Sequence, residues 1–169
     1  MPDLILMRHS KSAYPLGISD HERPLNERGS RDAQAARQWF AQQAFPVDEA
    51  WVSSAKRAQQ TWAAVEDGVR IAAGARFAVT TVPGLYEASV GRLVTLVTQA
   101  TASTLLVVAH NPGIEQLIEK VTGRDPQGWL AHISLKYPTG AICVLRLASW
   151  DSLGSGDAEL LTYAVPRAS

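Results

Sequence analysis

The segment Thr104–Ala109 constrains the fold of this chain more tightly than any other. It reads Thr-Leu-Leu-Val-Val-Ala and lacks the alternation of polar and apolar residues that marks a half-exposed strand. A short, almost wholly apolar segment is typical of a strand buried on both faces, and such strands lie in parallel sheets with helices on each side. We therefore expect Thr104–Ala109 at the centre of a sheet that is covered on both faces.

Other short segments rich in apolar and β-branched residues predict the remaining strands of this sheet. The last two of them are joined by a loop rich in Gly, Ser and Asp, which suits antiparallel pairing. The predicted strands besides Thr104–Ala109 are Leu4–Met7, Glu49–Ser53, Phe77–Val82, Gly140–Leu147 and Glu159–Ala164.

Capping residues mark the starts of four helices between these strands. The first helix carries its apolar residues on one face and ends before Pro46, and the last runs to about Val121. The predicted N-terminal residues are Asn26, Ser54, Ser89 and the pair Asn111-Pro112. Strands that alternate with helices predict an α/β fold: a three-layer α/β/α sandwich with a mostly parallel central sheet and an antiparallel edge.

Composition excludes several classes of function. The chain has 169 residues, with 16 Lys and Arg balanced by 16 Asp and Glu, so its formal net charge is zero. Such a balance argues against binding to nucleic acid or to an anionic membrane surface, and no run approaches the roughly 20 apolar residues that span a bilayer. The single cysteine, Cys143, lies in an apolar run and indicates a buried structural thiol. We expect a single domain over residues 1–169 and a cytoplasmic location.

Three predicted strands lead into side chains that bind anions. Arg8 and His9 follow the first strand, Arg57 lies in the first turn of the helix after the second, and His110 follows Thr104–Ala109. Taken singly, each has an ordinary explanation as a surface arginine or as a histidine bonded to a backbone group. The carboxyl ends of parallel strands, however, lie along one edge of a sheet, where ligands bind. A bound anion would also offset the roughly 0.3 to 1 kcal/mol by which a cation opposes the dipole at a helix start.

Five motifs, in order along the chain, together resemble the histidine phosphatase superfamily. Within it, the chain is similar to the small phosphohistidine phosphatases of the SixA type, and the match runs from residue 4 to about residue 116. This resemblance implies a phosphoglycerate-mutase-like fold. Ser10 stands where the family usually has glycine and Ser54 where it has proline; we expect a slightly altered pocket and unchanged chemistry. The motifs are Leu6–Ser10, Arg23–Gly29, Ser53–Thr61, Leu85–Ser89 and Val108–Gly113.

The resemblance also implies roles for four of these residues. His9 attacks phosphorus and carries the phosphoryl group, while Arg8, Arg57 and His110 bind its oxygens. The chemistry is consistent, because a neutral imidazole offers a nitrogen lone pair near pH 7 and guanidinium groups bind phosphate oxygens through paired donors. These cations would take the part that Mg²⁺ plays in kinases, so we expect no metal and no other cofactor.

Two further residues match the family's motifs. Arg23 is predicted to bind phosphate, although an ion pair with Asp20 or Glu22 explains it equally well. Glu87 is predicted to be the general acid, with an ordinary loop carboxylate as the alternative. A phosphohistidine leaving group departs more easily than an alkoxide, so Glu87 matters less on that substrate.

Three functions follow in order of preference. The first is a metal-independent phosphatase that removes phosphate from phosphohistidine on a protein, because a chain this short has few residues to spare for a lid. The second is a phosphomonoesterase for small metabolites or nucleotides. The third is a module that binds phosphorylated partners without turnover, against which the nucleophile His9 argues. The sequence assigns neither a partner protein nor an oligomeric state.

Overall fold

A single mixed sheet of seven strands forms the centre of the molecule. The computed structural model describes residues 1–169, and the strand order is β3-β2-β4-β1-β6-β7-β5. The first four strands run parallel; β6 is antiparallel to both β1 and β7, and β5 is parallel to β7. The strands are β1 (Asp3–Arg8), β2 (Glu49–Ser53), β3 (Ala78–Val82), β4 (Thr104–Ala109), β5 (Thr122–Arg124), β6 (Ile142–Arg146) and β7 (Ala158–Ala164).

Helices cover both faces of this sheet, as predicted. Alternate residues of β1 point to opposite faces, so Ile5 and Met7 pack with α1 and α2 while Leu4 and Leu6 pack with α3, α4 and α5. The predicted three-layer α/β/α architecture is therefore confirmed. No helix combines the length and apolar character that would carry it across a bilayer. The helices are α1 (Glu27–Gln43), α2 (Lys56–Val69), α3 (Val90–Val97), α4 (Gly113–Val121) and α5 (Trp129–Leu135).

The strand at the centre is the one that the sequence predicts there. All six residues of β4 are buried, and β4 pairs in parallel with β1 on one side and β2 on the other. The register aligns Arg8 with Ala109, which places the chain after β1 beside the chain after β4. The ends of two neighbouring strands are thus brought together by backbone hydrogen bonds alone.

Two predictions about helix starts are wrong. Ser54 does not cap α2: the N-cap position is Ala55, and the Ser54 hydroxyl is bonded to His21 Nε2 at 2.9 Å. Pro112 is not the first residue of α4, which begins at Gly113. The predictions for α1 and α3 are confirmed, because Asn26 and Ser89 accept hydrogen bonds from backbone amides in the first turns of those helices.

Helix α1 packs unusually close to the loop that follows β1. A Cβ atom at Gly29 would lie 2.0 Å from the carbonyl oxygen of Lys11. The same carbonyl accepts a hydrogen bond of 3.0 Å from the backbone amide of Asn26. Only glycine permits this approach, which fixes the backbone at Lys11 against the start of the helix.

Candidate active site

The predicted phosphate-binding residues line one pocket at the carboxyl ends of β1 and β4. Four predicted residues, Arg8, His9, Arg57 and His110, meet there, and Arg23 joins them. No Asp or Glu lines the pocket. We call His9, Arg57 and His110 the pocket floor, since each is at most 9% exposed. The remaining lining residues are Lys11, Ser12, Tyr14, Asn111 and Thr139.

His9 is held by backbone hydrogen bonds on both sides. Its amide donates to the carbonyl of Ala109 at 3.1 Å, and the amide of Gly140 donates to the carbonyls of Arg8 and His9 at 3.0 Å each. The ring Nδ1 lies 2.7 Å from the carbonyl oxygen of Ser10. Because a carbonyl only accepts, Nδ1 carries the proton and Nε2 keeps its lone pair.

Burial holds His9 in this neutral form. The pKa of His9 is lowered to about 3, chiefly because burial removes solvation; the hydrogen bond to Ser10 opposes this shift, and the nearby His110, Arg57 and Arg8 add to it. At neutral pH the ring is therefore uncharged. The geometry and the pKa agree on an imidazole with an unprotonated Nε2 at the floor of the pocket.

Arg57 bonds to His9 within the pocket floor and to Asp20 outside it. Its Nε donates to His9 Nε2 across a long 3.3 Å, while Nη1 donates to the Asp20 carbonyl oxygen at 2.7 Å and Nη2 to Asp20 Oδ2 at 3.2 Å. The hydroxyl of Thr61 accepts from the Ser10 amide at 3.0 Å and donates to the Arg57 carbonyl at 2.7 Å. Thr61 thus links the backbone that follows His9 to the turn of α2 that carries Arg57.

His110 completes the floor and is bonded to Ser53. Its Nε2 lies 2.7 Å from the Ser53 hydroxyl, and the two imidazole rings of His9 and His110 are 5.1 Å apart. Burial lowers the pKa of His110 to about 4, and Arg57 adds to this effect. Its Nδ1 is buried and has no hydrogen-bond partner. Such a group costs on the order of 1–3 kcal/mol until an acceptor reaches it.

Arg8 and Arg23 supply further donors. Arg8 Nη1 donates to the Tyr137 carbonyl at 2.9 Å, but its buried Nε has no partner, and burial lowers its pKa. Arg23 Nη1 donates to the Ser12 hydroxyl at 2.7 Å, and its Nε donates to Asp20 at 3.0 Å. Arg23 therefore makes the ion pair foreseen as the alternative and lines the pocket as well.

Asp20 and Tyr86 form what we call the pocket rim. The Tyr86 hydroxyl donates to Asp20 Oδ2 at 2.5 Å. That bond, followed by those from Arg23 and Arg57, holds the pKa of Asp20 well below its usual range although partial burial opposes the shift. The same bond raises the pKa of Tyr86 to about 12. Asp20 is thus a carboxylate at neutral pH and occupies donors of Arg57.

Glu87 lies apart from the other predicted site residues. It is exposed, its backbone is left-handed with φ 56°, and it does not line the pocket. Its carboxylate is near Tyr86 and raises the pKa of that residue, although by less than Asp20 does. The structure brings Arg8, His9, Arg23, Arg57 and His110 together and leaves Glu87 outside them.

Sequence reasoning missed the side chains that hold the floor and rim together. Ser53, Thr61 and Tyr86 lie within the motifs that carried the family resemblance, so those motifs were the available signal for them. Asp20 begins a 3-10 turn, Asp20–Glu22, in a segment whose sequence has no periodicity, and only its sequence distance from Arg23 hinted at a contact. No group of three or more His, Cys, Asp or Glu side chains is placed to hold a metal ion.

The sequence matches a family model over residues 4–104, that of the histidine phosphatase superfamily, branch 1. The chain belongs to this superfamily, and it is a phosphatase, a hydrolase that uses a histidine. An uncharacterized protein of Mycobacterium tuberculosis is 40% identical over 167 residues, which cover 95% of this chain and all of that protein.

Solved structures place the chain near the SixA type. A candidate phosphohistidine phosphatase SixA from Nakamurella multipartitia has a TM-score of 0.79 and 31% identity, covering 98% of this chain and 96% of that one. Phosphoglycerate mutase from Plasmodium falciparum shares the fold, with a TM-score of 0.61, 15% identity and coverage of 98% and 92%. The predicted phosphoglycerate-mutase-like fold and the SixA-type resemblance are both confirmed.

Proposed function

We propose that this phosphatase removes phosphate from phosphohistidine on a protein, through a phosphorylated His9 and without a metal ion. The observation that carries the proposal is the state of His9, whose Nδ1–H is committed to the Ser10 carbonyl while Nε2 keeps its lone pair in a pocket lined by arginines. With a pKa lowered to about 3, the ring is a nucleophile throughout the neutral range.

Donors around His9 are arranged for a tetrahedral anion. The unpartnered Nε of Arg8 and Nδ1 of His110 can each donate one hydrogen bond to phosphoryl oxygens. For His110, this requires the tautomer in which Nε2 accepts from the Ser53 hydroxyl, 2.7 Å away, and Nδ1 carries the proton. Arg57 gives up its long bond to His9 Nε2 when it turns its donors to the anion, which frees the lone pair for attack. These donors neutralise charge that a metal ion would otherwise balance.

The absence of a carboxyl group in the pocket lining favours phosphohistidine over an alkyl phosphate. An alkoxide leaving group needs an acid, and the carboxylate at the rim, Asp20, has already lost its proton because Tyr86, Arg23 and Arg57 stabilise its anion. A phosphohistidine that is protonated on its other ring nitrogen leaves as neutral imidazole. It needs no proton from the enzyme.

The proposed reaction has two steps, transfer of the phosphoryl group to His9 and hydrolysis of the phosphorylated enzyme. In the first, the Nε2 lone pair of His9 forms a bond to phosphorus as the P–N bond of the substrate breaks and its electrons return to the substrate imidazole. In the second, water attacks phosphorus, the bond to His9 breaks, and its electrons restore the Nε2 lone pair. The protons of the water leave with the phosphate. His9 thus ends neutral, as it began.

Exposed apolar side chains beside the pocket support a protein as the substrate. The loop that follows β1 carries Tyr14, Leu16 and Ile18, which are 73%, 100% and 46% exposed, and Tyr14 also lines the pocket. Large apolar groups that project into solvent next to a catalytic centre are typical of surfaces that meet a macromolecule. A small phosphate ester would leave them uncovered.

The decisive experiment compares a protein phosphorylated on histidine with an alkyl phosphate, in the presence of a metal chelator. We expect turnover of the phosphohistidine protein, transient ³²P label on the enzyme, and loss of both by at least about a thousandfold in His9→Ala. Circular dichroism and thermal unfolding check that the variant remains folded.

Two results would overturn the proposal. Turnover of alkyl phosphates alone would make the protein a phosphomonoesterase. Binding of the phosphorylated protein without label or turnover would make it a binding module.

A further inference from the structure

A second pocket adjoins the first and is lined by cations. It shares Arg8, Lys11 and Thr139 with the first pocket, so the two are continuous. Among its lining residues are five Lys and Arg and no hydrophobic residue. The residues that complete its lining are Arg28, Lys136, Pro138 and Arg167.

This concentration of charge stands out in a neutral protein. The two pockets together are lined by seven of the 16 Lys and Arg, while no Asp or Glu lines either one. One buried carboxylate, Asp32, approaches the second pocket, at 3.4 Å from Arg28 and 3.7 Å from Arg167. No salt bridge reaches Lys11, Lys136 or Arg8, so the pocket keeps a net positive charge.

The distribution of charge indicates an anionic ligand. Like charges gathered in one concave surface repel each other and focus a positive potential, which draws an anion in. The first pocket already provides donors for the phosphoryl group through His110, Arg57 and Arg8. The additional cations Lys11 and Lys136 are thus available to a second negative group on the same substrate.

We propose that the second pocket binds acidic side chains next to the phosphohistidine of the substrate protein. This inference rests on the proposed function and specifies the sequence around the target histidine. Because Arg8 belongs to both pockets, the acidic residue lies within a few positions of the phosphohistidine, each position spanning at most about 3.3–3.6 Å. Carboxylates of Asp or Glu there meet Lys136 and Lys11.

Lys136 is the residue with which to test this subsite. It is exposed, follows α5, and makes no side-chain hydrogen bond or salt bridge, so its replacement removes a charge without breaking an internal contact. Lys120 is the matched control, also exposed and likewise without a salt bridge. It lies near the end of α4, a helix that leaves the site edge at Gly113, and it lines neither pocket.

The experiment measures kcat/KM on two phosphohistidine peptides that differ only in flanking Glu or Gln. We expect the wild-type protein to prefer the acidic peptide by roughly fivefold or more, mostly through KM, and to lose this preference as salt is added. Lys136→Glu should abolish or reverse the preference, and Lys120→Glu should keep it. Thermal unfolding shows that both variants are folded.

A missing subsite and a missing phosphohistidine activity would give different results. Equal rates on both peptides, unaffected by Lys136→Glu, would overturn the subsite while phosphohistidine hydrolysis stands. Failure on both peptides, with turnover of alkyl phosphates, would overturn both. The same loss of preference in Lys120→Glu and Lys136→Glu would mean that net charge of the protein acts, and would also overturn the subsite.

Discussion

The pocket floor and the pocket rim differ in how they are held. His9 and His110 follow directly on two paired strands, and their backbones are fixed by the sheet. Asp20 begins a short 3-10 turn and Tyr86 caps the end of another, the two are bonded to each other, and the Asp20 side chain is 50% exposed. The backbone of the floor is thereby fixed by the sheet, whereas the rim depends on side-chain bonds between two segments far apart in the sequence.

Charge also divides between these two regions. The floor presents neutral imidazoles and guanidinium donors, and the carboxylate belongs to the rim. The Asp20 carboxylate partly neutralises Arg57 through a contact of 3.2 Å when no anion is bound, and the Asp20 carbonyl oxygen accepts a second bond of 2.7 Å. We infer that the floor performs chemistry common to any phosphoryl substrate, while the rim keeps Arg57 oriented between turnovers.

Arg57→Lys should have the largest effect. Lysine keeps the charge but loses the planar fork that contacts both His9 and Asp20, so we expect kcat on a phosphohistidine peptide to fall by at least about a hundredfold. Arg23→Lys, which alters a guanidinium held mainly by Asp20 and Ser12, should cost less than about tenfold. Equal losses in both variants would show that a guanidinium bonded to the rim matters as much as Arg57 of the floor, and would contradict the distinction between the two regions.

Thr61→Val removes the hydroxyl that links the Ser10 amide to the Arg57 carbonyl, while keeping the shape of the side chain. It leaves the Ser10 amide without its partner, while the Arg57 carbonyl keeps its backbone bond within α2, so we expect the free energy of unfolding to fall by about 1–3 kcal/mol. We expect kcat to fall by several-fold. Thr61→Ser should restore kcat; if it restores only stability, Thr61 has no positioning role.

Stability should depend on pH through the floor histidines. Their pKa values lie near 3 and 4 in the folded protein, against about 6.5 in the unfolded chain. Between these pH values the unfolded chain binds more protons than the folded protein does. The contribution of the two neutral histidines to the free energy of unfolding is therefore fully present above about pH 6.5 and is lost as the pH falls towards about 3. Urea unfolding at several pH values should show a shallower dependence in His9→Gln than in the wild type. His132→Gln, at an exposed histidine, should keep the wild-type dependence.

The smallest effect is expected from Glu87→Gln. Glu87 does not line the pocket, and a phosphohistidine leaving group needs no acid, so we expect less than about a twofold change in kcat on a phosphohistidine peptide. Steady-state rates would measure it. A tenfold loss would instead make Glu87 the proton donor and would require it to move into the pocket.

The floor could be predicted from the sequence because each of its parts is local. His9 follows the apolar strand β1 and His110 follows β4, and parallel pairing brings these two strand ends together; Arg57 lies in the first turn of the helix after β2. The rim could not be predicted in this way, since the contact between Tyr86 and Asp20 joins residues 66 positions apart, at two short 3-10 turns that carry no periodic pattern.

The sequence did not predict β5, α5 or the true start of α2, and in each case the local pattern explains why. Strand β5 has three residues, one of them glycine, and so carries no periodicity. Helix α5 follows Gly128, which has no side chain to cap it, and its first amides donate instead to the Asp125 carboxylate, three residues before Gly128. Ser54 has the chemistry of a cap, but its hydroxyl binds His21, a contact across 33 positions that composition does not reveal.

The close approach of Gly29 to Lys11 bears on how such a scaffold can acquire new specificities. At that point the pocket wall has no room for even one more methyl group, and any larger residue at position 29 would have to push the wall inward. A few residues further along the same loop, the exposed side chain of Leu16 meets no such restriction. A substitution at Leu16 can therefore alter recognition without displacing the backbone of the pocket wall, whereas one at Gly29 cannot.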